Sequence, residues 1–200
     1  MMKLFYSPTS PYVRKVCMVI LEKGLSDRVE FDPRSPYDLE ADLVAANPLS
    51  KVPALVCEDG LTLFDSPVIC EYLDSLNDTP KLMPSGDARW RTLRLIALAD
   101  GMTDAAYLAR MESVRPDGQK SDDAMAAQRA KIMRGIAALE ASELPAEDSI
   151  DLGVIALGAC LGYVDLRHND LNWRDNHPKL TAWVAAVSQR PSFQETVPAG

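Results

Sequence analysis

Histidine and cysteine are scarce in these 200 residues, with two of the first and four of the second. His168 and His177 have no cysteine or histidine at metal-ligand spacing, so neither a metal centre nor a histidine-based triad is expected. Cys17, Cys57, Cys70 and Cys160 form no C-x-x-C pair and each lies in an apolar stretch. They read as buried, reduced thiols rather than as disulfides or a zinc site. Long apolar runs are missing too: nothing approaches the ~20 residues that span a bilayer. Residues 1–8 carry no secretory apolar region, so a soluble cytoplasmic chain is expected. Positive charge is in deficit, 21 Lys and Arg against 29 Asp and Glu, for a net −8. Without a basic stripe the chain is a poor nucleic-acid partner. Any anionic ligand must be held by local groups, against the overall field.

What is present divides in two. Residues 1–78 mix element types in the order β-α-β-α-β-β-α. A strand is expected over 3–6, a helix over 11–24 with Ser10 as cap and Pro11 in its first position, and a weak strand over 29–31. A loose helix over 37–46 comes next, then a hairpin of 53–57 and 61–64 around Asp59-Gly60, and a helix capped by Ser66 that runs to about Leu76 with Pro67 in its first position. Residues 79–86 hold two prolines and read as a linker. Residues 87–200 show only helical periodicity, over 88–111, 124–141, 152–167 and 178–189, with a polar loop over 112–123. The very apolar third helix has Asp151 as its cap. Its glycines Gly153, Gly158 and Gly162 cost helix propensity and are explained by close helix packing.

Three constellations can carry chemistry. Ser10 caps a helix, but a capping hydroxyl still has a proton to donate. A thiolate placed there would also sit at the positive end of a helix dipole. Thr9 and then Tyr6 rank behind Ser10 for that role, and Tyr6 has core or rim packing as its ordinary fate. Val52-Pro53 opens a strand; a cis bond there would aim the Val52 main chain outward, ready to pair with an extended peptide. Asp65-Ser66 offers an acid and a helix start, suited to the ammonium and carboxylate of an α-amino-acid head. Lys51 could meet a second carboxylate, although a solvated surface lysine is the commoner reading. One ligand combines that head, a central thiol and a distal carboxylate: glutathione.

These segments carry a resemblance. Residues 7–16, Ser-Pro-Thr-Ser-Pro-Tyr-Val-Arg-Lys-Val, are similar to the first-helix start of serine-type glutathione transferases. Asn47-Pro48-Leu49-Ser50-Lys51-Val52-Pro53-Ala54-Leu55 resembles that family's Asn-Pro-x-Gly-x-Val-Pro-x-Leu. Phe64-Asp65-Ser66-Pro67-Val68-Ile69 resembles its Glu-Ser-x-x-Ile, and Arg190-Pro191-Ser192-Phe193 its C-terminal signature. The resemblance covers nearly the whole chain. It implies an α/β thioredoxin-like N-terminal domain, an all-α C-terminal domain, a homodimer and a detoxifying role. It implies that Ser10 activates the glutathione thiol, with Lys51, Val52, Pro53, Asp65 and Ser66 binding the peptide and no metal. It implies a pocket between the domains for a hydrophobic electrophile, with Tyr107, Met111 and Tyr163 as wall candidates that could equally be helical core. A non-catalytic glutathione-binding or protein-interaction relative, and a glutathione-dependent peroxidase or reductase, are the alternatives.

The departures are specific. Ser50 stands where the family has glycine, and Asp65 where it has a longer acid or amide. Val154 stands where the buried helix often has the second half of a capping box. No cysteine heads the first helix; Cys17 lies about two turns further in, which argues against mixed-disulfide chemistry.

Overall fold

β1 (Met2–Tyr6) buries Met2, Leu4 and Phe5, and two strands flank it. β2 (Val29–Pro33) runs parallel to it, from Met2 opposite Val29 to Tyr6 opposite Pro33. β3 (Ala54–Val56) runs antiparallel on the other side, with Phe5 opposite Ala54. β4 (Thr62–Leu63) pairs antiparallel with β3 and completes a four-stranded sheet in the order β2-β1-β3-β4. The computed structural model describes residues 1–198. They form two compact units: Met1–Pro84 together with the segment that begins at Ser192, and Ser85–Pro191.

In the first unit α1 (Pro11–Glu22) and α3 (Ser66–Ser75) pack against each other. α1 ends as expected at Gly24, whose φ of +62° suits a residue without a Cβ. The Gly24 N–H donates to Leu21 O at 3.0 Å and the Leu25 N–H to Ile20 O at 2.9 Å, closing the last turn. α2 (Ala41–Ala46) is shorter than the expected 37–46. The reason is Leu39, whose left-handed φ of +50° cannot continue a helix. The start of α3 also differs from expectation: Asp65, not Ser66, holds the cap position, without a side-chain cap bond, and Ser66 is the first helical residue.

A buried ion pair fastens the other ends of these two helices. Lys23 Nζ lies 3.0 Å from Asp74 Oδ1, and both side chains are almost fully shielded from solvent. The ammonium also donates to the carbonyls of Asn77 (2.8 Å) and Pro80 (2.6 Å). The carboxylate accepts the main-chain N–H groups of Leu82 (2.8 Å) and Met83 (2.9 Å). Residues 77–83, which overlap the stretch that reads from sequence as a linker, are thus held by a charged node in which each charge is satisfied. The C-terminal segment is held to α1: Arg14 donates to Phe193 O at 3.1 Å and Ser192 Oγ to Glu22.

The second unit is helical: α4 (Gly86–Ser113), α5 (Asp122–Ala141), α6 (Leu152–Arg167) and α7 (Pro178–Val187); the short α8 (Pro191–Gln194) falls, after its first residue, in the segment that belongs to the first unit. α4 packs on both α5 and α6. A Cβ on Gly153 would stand 3.1 Å from the Leu95 side chain, and one on Gly135 would overlap Met102. Asp151 caps α6 as expected, accepting the Val154 N–H at 2.8 Å. The capping-box acid that Val154 lacks has a substitute of another kind: Thr92 Oγ1, from α4, donates to the second Asp151 oxygen at 2.6 Å. Glu140 at the end of α5 accepts the Lys179 and Leu180 N–H groups at 3.0 and 2.8 Å, capping α7 from outside.

Burial alone would raise the Asp74 pKa, but the Leu82 and Met83 N–H groups and Lys23 outweigh it and hold the carboxyl below its ordinary value. A folded-state pKa below the unfolded one contributes stability above the unfolded value that is lost as pH falls through the folded one. Asp74→Asn is therefore expected to cost about 3–5 kcal/mol in urea unfolding near neutrality. The gap to wild type should shrink on acidification below about pH 4. A pH-independent gap, or a loss under about 1 kcal/mol, would contradict this role of the pair.

Candidate functional site

Strand directions decide which loops meet. β2 ends where β1 ends because the two are parallel; β3 begins and β4 ends there because each reversal is antiparallel. Residues 6–10, 33–37, 52–53 and 65–66 therefore share one edge of the sheet. α1 and α3 both start at that edge and aim their free N–H groups toward it.

Ser10 is an extended residue at φ −77° and ψ 123°, and its Oγ accepts the Val13 N–H at 3.3 Å. The hydroxyl proton is not used by that bond. Thr9 is half-buried in the turn closed by the Ser10 N–H and Ser7 O at 3.1 Å. The Tyr6 ring meets Phe31 edge to face, with centroids 5.7 Å apart, so the rim packing read as its ordinary fate is present.

The Val52–Pro53 bond is cis, as is Phe64–Asp65. The Val52 N–H and C=O have no hydrogen-bond partner among the described residues. A turn fixes the residues before them. Asn47 Nδ2 donates to Lys51 O at 2.9 Å, and Asn47 Oδ1 accepts the Leu49 N–H at 3.0 Å. Ser50 takes a φ of +50°, which explains why glycine is usual at this position. Its hydroxyl donates to Pro36 O at 3.4 Å, tying this turn to the loop after β2. The Lys51 side chain is exposed, with no hydrogen-bond or ion-pair partner among the described residues. Asp65 is exposed, whereas Ser66 is buried at the start of α3.

Sequence reading missed the loop after β2. Residues 6–8 and 33–37 line an open groove of about 330 Å³ at the same sheet edge. Arg34 organises it. Its guanidinium contacts Asp32 at 2.7 Å, Glu40 at 3.2 Å and Asp42 at 2.6 Å, and lies 5.5 Å over the Phe5 ring. The hydrogen bond from Arg34 holds the Asp42 carboxyl below its ordinary pKa. The one hint in the sequence was a lone arginine among acids, a pattern equally common on solvated surfaces.

Tyr107 and Met111 are half-buried on α4 and Tyr163 is buried on α6, all in the helical unit. Among the described residues no group of three or more His, Cys, Asp or Glu could hold a metal ion, and no helix is long and apolar enough to cross a membrane. The sheet edge therefore offers two helix starts, a hydroxyl donor, an unpaired main-chain segment, an acid and a lysine.

Two family profiles match the chain: the N-terminal domain of glutathione S-transferase over residues 9–76 and its C-terminal domain over residues 122–186. An uncharacterized GST-like protein of Escherichia coli K12, YibF, is 38% identical over 201 residues, covering 98% of each chain. A glutathione transferase family member from Pseudomonas fluorescens Pf-5, solved with bound glutathione, is 42% identical with a TM-score of 0.94 and full coverage of both chains. A structure of such a family member from the same organism, with bound S-(propanoic acid)-glutathione, has 41% identity, a TM-score of 0.88 and coverage of 100% and 98%. The fold they share is a thioredoxin-like domain succeeded by a helical one.

Cys17 stands apart from this edge, inside α1, and is half-buried rather than buried as expected, whereas Cys57, Cys70 and Cys160 are buried. Burial pushes its thiol up to about 12. Alkylation of Cys17 by iodoacetamide at about pH 8 is expected to be at least ~100-fold slower in the native protein than in urea, because the thiolate is the nucleophile. Peptide-resolved mass spectrometry reads the rate; comparable rates in the two states would contradict the burial.

Proposed function

Because this chain belongs to the glutathione S-transferase family, we propose that it binds glutathione along the sheet edge and turns its thiol into a nucleophile at Ser10 for transfer to a small hydrophobic electrophile. The observation that carries the reading is Ser10 itself: its oxygen is occupied by the Val13 N–H while its proton is left to donate. A thiolate accepting that proton also lies at the positive end of α1. Both effects favour S⁻ over SH, and each pKa unit corresponds to about 1.36 kcal/mol.

The rest of the tripeptide finds groups of matching chemistry. The unpaired Val52 main chain can hydrogen-bond the cysteinyl backbone as a one-residue antiparallel strand beside Pro53. The start of α3 at Ser66 suits the γ-glutamyl carboxylate, and Asp65 its ammonium. The exposed Lys51 side chain has no partner among the described residues to give up before meeting the glycyl carboxylate. Thr9 stands second to Ser10 as the donor. Tyr107, Met111 and Tyr163 are what the helical unit offers to the electrophile. The reading includes a homodimer in the cytoplasm with a detoxifying role, and it requires no metal. The solved relatives that hold glutathione and a glutathione S-conjugate support it. The Cys17 thiol, raised to about 12, weighs against a reductase working through an enzyme cysteine.

Ser10→Ala is expected to raise the pKa of the bound thiol by about one unit and to lower kcat/KM at neutral pH roughly tenfold. Glutathione affinity should change little, and loss of the cap should cost about 1 kcal/mol of stability. Ultraviolet titration of the bound thiolate is the measurement. An unchanged thiol pKa in Ser10→Ala, with the shift appearing in Thr9→Ala instead, would move the role to Thr9.

A further inference from the structure

α1 carries a buried cation one turn past Ser10. Arg14 is 9% exposed, and its guanidinium is used on the last stretch of the chain. Nη2 donates to Phe193 O at 3.1 Å and Nε to Thr196 Oγ1 at 3.4 Å. Thr196 is oriented to accept, because its own proton goes to Ser192 O at 2.7 Å. Ser192 Oγ donates to Glu22, the last residue of α1, and Phe193 is buried. The segment from Ser192 to Thr196 is thus a strap that holds α1 at both Glu22 and Arg14. The Arg14 main chain carries that restraint on to Ser10. Helix starts fray because their first N–H groups have no partner within the helix. The Arg14 N–H closes the first turn of α1 on Ser10 O at 3.0 Å. One residue therefore grips the strap with its side chain and Ser10 with its backbone. Packing alone does not account for it, since burying a guanidinium costs more than burying an apolar side chain of similar length. What the planar fork adds is a fixed direction between two acceptors.

We infer that Arg14 is a positioning residue for the Ser10 hydroxyl, and that the strap from Ser192 sets where that hydroxyl points. The inference rests on the thiol activation proposed above. A hydrogen bond weakens steeply as its angle closes, so a small drift of the first turn is felt in the bond to the sulfur. Arg14 acts through Ser10, and its effect on the thiol must disappear when the hydroxyl is gone.

Ultraviolet titration of glutathione bound to the full-length protein tests it in a double-mutant cycle of wild type, Ser10→Ala, Arg14→Met and the pair. Arg14→Met keeps the stem and removes the donors. It is expected to raise the bound-thiol pKa by about half a unit and to lower kcat about threefold, with KM for glutathione within about twofold. In the Ser10→Ala background the same substitution should move the pKa by less than about 0.1 unit. Arg14→Lys keeps the charge without the fork, and should retain at least about half of the Arg14→Met shift. Where Arg14→Met does not fold, Thr196→Val carries the same comparison, with a shift of about 0.3 unit that also needs Ser10. A shift of equal size with and without Ser10, no shift at all, or a wild-type pKa in Arg14→Lys overturns the assignment. In each of these cases a shifted pKa in Ser10→Ala leaves the Ser10 reading standing. An unshifted pKa in Ser10→Ala overturns both.

Discussion

The direction in which each neighbour runs along β1 is the constraint behind the candidate site. A parallel β2 must leave the sheet where β1 leaves it, and an antiparallel β3 must arrive there. Four loops are thereby brought to one edge by main-chain hydrogen bonding alone. The residues that arrive there are distant in sequence: Ser10, Arg34, Val52 and Asp65. Two helices also begin at that edge, so their unsatisfied N–H groups add a local positive field of about 0.3–1 kcal/mol per helix to a chain whose net charge is −8. The adverse overall field is met by geometry.

Lys23 and Arg34 of the first unit serve structure, as Arg14 does. Lys23 ties the far ends of α1 and α3 and the segment 77–83 into one satisfied node. Arg34 ties the loop after β2 to three carboxylates. Lys51 is different: the turn at Asn47 and Ser50 fixes its main chain while its side chain stays in solvent. Fixing the far end of α1 matters for chemistry, because a hydroxyl that is to meet a sulfur must sit on a rigid element.

Features with a local cause were readable from the chain. Ser10-Pro11 announces a helix start because cap and first-turn requirements act within three residues, and Asp151 and Gly24 are legible for the same reason. The two apolar patterns were likewise enough for a mixed unit and then a helical one. What escaped depended on distant partners. Thr92 completes the α6 cap across 59 positions, and Lys23 meets Asp74 across 51. Nothing near Lys23 distinguishes it from a surface lysine. The short α2 escaped because a left-handed Leu39 is atypical for its residue type, and the α3 cap falls at Asp65, one position before the serine whose residue type favours that role. The groove beyond Tyr6 escaped because it needs two loops, each unremarkable alone.

A crystal structure with glutathione bound bears most directly on the central claim. The account predicts the sulfur within about 3.5 Å of Ser10 Oγ, with the cysteinyl main chain hydrogen-bonded to both Val52 groups and the glutamyl head at the start of α3. Glutathione lying away from the sheet edge, or a Ser10 hydroxyl turned from the sulfur toward another acceptor, would contradict it.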